Sequence, residues 1–414
     1  MRDKAEDINK PDVAKGQSGM MSVESSPKPQ RLYYLDWLRV LVILNLIPFH
    51  AVWLMTYIKG FSHIPQKGVV VTVIKYYLTF VAYWQMPLLF FITGTTTYIS
   101  LNYRSTTEYV KERAKRLLIP LVFFVLVCYP LPVYFLPGTA KDRSLSDYLF
   151  RFWPQCLKTP HNSWPVGRPA LPGWGHLWFV GYLLVISLVT LPLLLNCKKY
   201  LLRGLTDKSV TLVTRRGGIF LPGIFFVVII ATLTPIWPLF YQHNLYQDWA
   251  YFFYNLAAFV CGYIFCLDDR FSQSIDKSFR LLLPFAIVSS VFVLAARYKM
   301  PAFSTPAYGF RYFFYSILFG FNTWFWILAL LGLARRFLNQ ANRFLRYFSP
   351  ASYPFYILHL TLMIPIGYYV VCLHLGVLAE FVMLSLLSFV ATIGCYELLI
   401  KRTKVTRFLF GMKV

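Results

Sequence analysis

Residues 35–58 read LDWLRVLVILNLIPFHAVWLMTYI, an apolar run interrupted by one acid, one base and one imidazole: Asp36, Arg39 and His50. A helix needs about 20 apolar residues to cross a hydrocarbon core. Lipid cannot hydrogen-bond a bare backbone, so a spanning segment is either such a helix or a strand of a closed barrel. Barrel strands are short and alternate, and this run does neither. Counting this one, ten runs of that kind lie near 35–58, 76–100, 117–136, 176–196, 218–240, 248–267, 279–297, 310–333, 352–373 and 377–400. The expected fold is an all-α polytopic membrane helix bundle of about ten transmembrane helices.

Composition agrees. Of the 414 residues 57% are hydrophobic and only 14% charged, which excludes a set of soluble domains, a disordered chain and a disulfide scaffold. The formal charge of +24 comes from 41 Lys and Arg against 17 Asp and Glu. It sits in short clusters between apolar runs rather than over one water-facing surface, so the partner it implies is the lipid bilayer and not nucleic acid. Lys111, Arg113, Lys115 and Arg116, then Lys198 and Lys199, then Arg335 and Arg336 fall on one side, whereas 241–247 and 374–376 carry no base. The expected orientation is therefore N-in, C-in. Residues 1–30 are polar and read as a disordered cytoplasmic tail. The transmembrane domain covers 31–400 with an outer loop at 137–175, and 401–414 form a basic cytoplasmic tail. The seven Cys lack metal spacing and read as small apolar packers, so no metal is expected.

Ionisable side chains are costly in lipid and mark sites. Arg39 and His50 are eleven residues apart, which on a helix places them within about 20° of one azimuth and about 16.5 Å apart along the axis. Asp36, three residues before Arg39, can pair with its guanidinium. Arg113 and Arg116 fall three apart on one helical face, either as topogenic charge or as an anion clamp. Ser352, Tyr356 and His359 form an i, i+4, i+7 stripe. Thr93-Gly94-Thr95 suits close helix packing or a helix break. Glu397 has Lys401 at i+4, the spacing of a local ion pair. Trp153, Trp164, Trp174 and Trp178 with His176 read as an interfacial belt or as flat faces suited to a sugar.

Together these segments resemble the acyltransferase-3 family of integral-membrane O-acyltransferases. Arg39 through His50 looks like its Arg-x10-His motif, and Arg113-x-x-Arg116 like its Arg-x-x-Arg motif. Met86 to Gly94, His176 to Phe179, Ser352 to His359 and the C-terminal Tyr396-Glu397 through Gly411 resemble most closely the glucan biosynthesis protein C branch. Two positions depart: Thr93 stands where Ser is usual, and Leu360 where that branch places a second His. The resemblance implies transfer of a succinyl or acetyl group from cytoplasmic acyl-CoA to a hydroxyl of an extracytoplasmic glycan, such as a periplasmic glucan, at the cell inner membrane. On that reading Arg39, Arg113 and Arg116 dock the donor's anionic head, and a shaft carries its arm inward to His50. His50 is the general base, and Asp36 orients Arg39. His359 and Tyr356 donate to the thioester oxygen. Trp174, His176, Trp178 and Glu397 hold the acceptor. The competing class is a transporter or flippase for a glycan or lipid-linked substrate, which buried charge among ten helices also fits; the absence of a fixed-period repeat argues against it.

Overall fold

A computed structural model describes residues 31–57, 68–136, 144–158, 174–200, 205–215, 217–237 and 247–413, with 239, 243 and 245 between the last two. The tail at 1–30 and most of the outer loop, Trp164 included, lie outside the described residues.

Among the described residues every regular element is helical, as the apolar runs require. Seven helices are long and apolar enough to cross a membrane: α1 (Tyr33–Tyr57), α2 (Val69–Tyr103), α3 (Thr106–Tyr134), α7 (Asp269–Lys299), α8 (Phe310–Phe337), α9 (Arg343–Val371) and α10 (Val377–Ile400). Three shorter apolar helices, α4 (Gly175–Val189), α5 (Gly218–Leu233) and α6 (Trp249–Phe265), complete the set. Each of the ten apolar runs thus forms a helix, but three are shorter than the ~30 Å core needs. The chain is a polytopic helical bundle.

Two boundaries differ from expectation. Helix α2 begins at Val69, where apolar character itself begins, rather than near 76. Helix α3 begins at Thr106, because Ser105 caps it: its hydroxyl accepts from the Glu108 N–H while the Glu108 carboxylate accepts from the Ser105 N–H. The basic cluster therefore rides on a helix and not on a loop. Helix α3 also contains two wide π turns, Ala114–Leu118 and Phe124–Cys128, each of which rotates the residues beyond it about the helix axis.

The closest helix approach is between α2 and α6. A Cβ on Gly94 would lie 1.9 Å from the Phe259 carbonyl oxygen, and one on Gly262 would lie 2.0 Å from that of Phe91. Only glycine admits backbones this near, and the Thr95 hydroxyl uses the proximity to donate to the Gly262 carbonyl at 3.1 Å. Of the two sequence readings of Thr93-Gly94-Thr95, close packing is the one realised; α2 runs unbroken through it.

Past α10, a short helix α11 (Lys404–Leu409) opens on the Thr403 cap and turns back on the bundle. Phe410 packs on Phe123 of α3 with ring centroids 5.6 Å apart. Gly411 sits against the Arg116 carbonyl and the Tyr353 ring.

Candidate active site

Helix α1 remains continuous through Pro48, so Arg39 and His50 keep the helical spacing read from the sequence. Arg39 donates to Asp36 Oδ1 at 2.6 Å and to Ser349 Oγ of α9 at 3.1 Å. The acid three residues earlier fixes the guanidinium, as expected, and Ser349 adds a tie that spans 310 residues of chain.

Three histidines from three helices meet around α9. The Nδ1 of His359 faces the Tyr356 carbonyl at 2.7 Å and that of Phe355 at 3.2 Å. Carbonyls only accept, so in a neutral ring Nδ1 carries the proton and Nε2 carries a lone pair. That Nε2 lies 3.2 Å from His50 Nδ1, which also faces the Leu46 carbonyl at 3.0 Å. Both neighbours of His50 Nδ1 are acceptors, so the His50 proton sits there and Nε2 is left as the basic nitrogen. His176 places Nε2 3.1 Å from the carbonyls of both Tyr356 and Ile357, while the Tyr356 hydroxyl donates to the His176 carbonyl. Gly175 makes this approach possible: its φ is +50°, and a Cβ would meet the Tyr129 ring at 2.5 Å. The ring nitrogens are thus aimed at carbonyls and at each other, and no group of His, Cys, Asp or Glu among the described residues could hold a metal ion.

His50 opens onto a cavity of about 800 Å³. Its walls come from one end of the bundle, with Phe49, Trp53 and Tyr57 of α1, Gln85 of α2, Tyr129 of α3, and Leu360 and Ile364 of α9. His176, Trp178 and Tyr356 also line it, so the sequence-based candidates from α1, α4 and α9 do converge. Gln85 is buried and accepts from Asn45 Nδ2 at 2.9 Å, which ties the α2 wall to α1 one turn before His50. Sequence reasoning missed His243, Tyr251 and Arg297, which share the lining. A lone loop His and a terminal-turn Arg carry no local signal.

The other candidates are placed as follows. His359 is 2% exposed, is not a lining residue, and commits one nitrogen to a carbonyl and the other to His50. Tyr356 likewise spends its hydroxyl on the His176 carbonyl. Arg113 and Arg116 do not act as one face. Arg113 turns inward, donates to Thr97 Oγ1 at 2.8 Å and packs over the Tyr109 ring, whereas Arg116 enters the π turn and pairs with Glu112 at 3.2 Å. Glu397 forms the i,i+4 ion pair with Lys401 at 2.9 Å and is not among the lining residues of this cavity. Trp174 stands behind the wall, where its Nε1 donates to the His243 carbonyl at 2.7 Å. Arg39, Arg113 and Arg116 do not line this cavity either, and buried Val40, Val42, Ile43, Leu46 and Ile47 occupy α1 between Arg39 and His50. The single open shaft expected between guanidiniums and imidazole is not what this cavity provides.

With this geometry in hand, residues 32–399 match the acyltransferase-3 family model, described as an acyltransferase domain. No curated protein and no solved structure matches the chain.

Proposed function

The chain belongs to the acyltransferase-3 family of membrane acyltransferases, and from that premise we propose that it moves a succinyl or acetyl group from cytoplasmic acyl-CoA to a hydroxyl of an extracytoplasmic glycan, such as a periplasmic glucan, at the cell inner membrane. The observation that carries this reading is the basic Nε2 of His50, set by two acceptors behind Nδ1 and open to a cavity of acceptor size. In the proposed step Nε2 takes the proton of the acceptor hydroxyl, whose oxygen bonds to the thioester carbonyl carbon; the carbon–sulfur bond then breaks, and the proton on Nε2 passes to sulfur to release the coenzyme thiol. A positioned base contributes about 10²–10⁴-fold to such a step. His359 acts through His50, by holding its proton on Nδ1 and its ring in place.

The donor's anionic head docks at Arg39 and Arg113, with Arg116 supplying longer-range charge. For its arm to reach His50, the apolar side chains packed between them must part. Leu360, the position at which the glucan branch carries a second His, lines the cavity. The departure therefore falls on the acceptor wall and bears on which glycan is taken, not on the base. Purified protein incubated with labelled acetyl- and succinyl-CoA should release free thiol faster when a suitable glucan is present. Movement of a glycan without thiol release would instead favour transport.

A further inference from the structure

The approach to α6 carries a second imidazole that the acyl-transfer step does not use. His243 lines the cavity, and its Nδ1 lies 3.4 Å from Oδ2 of Asp248, whose side chain is fully buried. Among the described residues the neighbours of this carboxylate include the Tyr182 hydroxyl and His243 Nδ1, and neither contact is a well-formed hydrogen bond. A buried carboxylate left this way is costly unless it serves a neighbour. Of the two, His243 lines the cavity and is held with care. His243 has φ +49°, a left-handed conformation that a residue with a Cβ seldom adopts. Its carbonyl accepts from Trp174 Nε1. The ring is stacked on Trp178 at 4.5 Å and tilted over Tyr251 at 4.8 Å. These contacts fix a strained backbone so that one edge of the imidazole meets Asp248 and the other meets the cavity.

We propose that His243, oriented by Asp248, binds a hydroxyl of the acceptor sugar other than the one that His50 activates. The carboxylate keeps the proton on Nδ1, and Nε2 accepts from the sugar. Aromatic walls with a few aimed polar edges suit a polyhydroxylated ring; among the described residues the lining carries one guanidinium, Arg297, and no carboxylate. Asp248 is a positioning residue that works through His243.

The inference rests on the acceptor being a glycan, and the test separates the two. Binding of neutral β-linked gluco- and manno-oligosaccharides to the purified full chain is measured by tryptophan fluorescence and calorimetry, without donor. The wild type should bind at least one of the oligosaccharides. His243→Ala should weaken that binding about tenfold, the worth of one hydrogen bond, and the milder His243→Gln should weaken it less. Asp248→Asn should weaken it in the wild type but add nothing in His243→Ala, because its effect passes through the ring. Unchanged binding in both His243 variants, a full additional loss from Asp248→Asn in the His243→Ala background, or no binding by the wild type would overturn the proposal. Sugar binding with no thiol release under any condition would sink acyl transfer and leave this site standing.

Discussion

At the scale of single residues, the proposed transfer turns on which nitrogen of His50 carries the proton. His359 decides it without meeting the substrate: its own Nδ1 proton is spent on the Tyr356 carbonyl, and its lone pair then draws the Nδ1 proton of His50. Replacing His359 by Ala should leave the Leu46 carbonyl as the remaining anchor and lower kcat by about 10–100-fold, the scale of a misplaced catalytic group, with little change in acceptor KM. Steady-state kinetics check this, and an unchanged kcat would return His359 to a packing role. Asp36, Arg39 and His50 were legible in the sequence because charge inside an apolar run has no inexpensive alternative use. His359 was legible as a site residue but not in its role, since a stripe on one helix does not say whether its members face a substrate or another side chain. His243 was not legible at all: its partner Trp178 is 65 residues away in sequence, and a loop imidazole has no periodicity to betray it.

At the scale of elements, apolar length and capping chemistry account for most of the helices. They did not account for the π turns of α3, because a one-residue widening leaves hydrophobic period and composition unchanged. Arg113, just before the first π turn, reaches Thr97, while Arg116, within it, keeps the i,i+4 pairing with Glu112. The α2–α6 crossing was half legible, as small residues signal close approach without naming the partner helix. Gly262→Ala would push a methyl into the Phe91 carbonyl and should cost about 1–3 kcal/mol, the usual penalty of overpacking. A clear fall in Tm relative to the wild type measures it, and an unchanged Tm would mean that the two helices are free to separate.

For the molecule as a whole, the base clusters gather on one side of the bundle while the cavity is built from the other, from the Tyr57 end of α1. In the proposed function, donor and acceptor are thereby kept in separate places and meet at His50. Arg113→Ala should raise donor KM about tenfold, since an inward guanidinium is better shielded from salt than an exposed one, and leave acceptor affinity alone. Isothermal titration with coenzyme A measures the first, and an unchanged donor affinity would leave Arg113 as topogenic charge. The fold was readable, and so was the set of ionisable residues from which His50 is proposed as base, because both follow from what lipid forbids. The cavity wall was not, because it is assembled from residues on several elements far apart in sequence. The central claim is that the His50 imidazole is the base for acyl transfer, and acceptor-stimulated thiol release by His50→Ala tests it most directly. The variant should elute as a folded membrane protein, bind coenzyme A as the wild type does, and lose at least 10²-fold of the stimulated rate. A folded variant that keeps the wild-type rate would contradict the account.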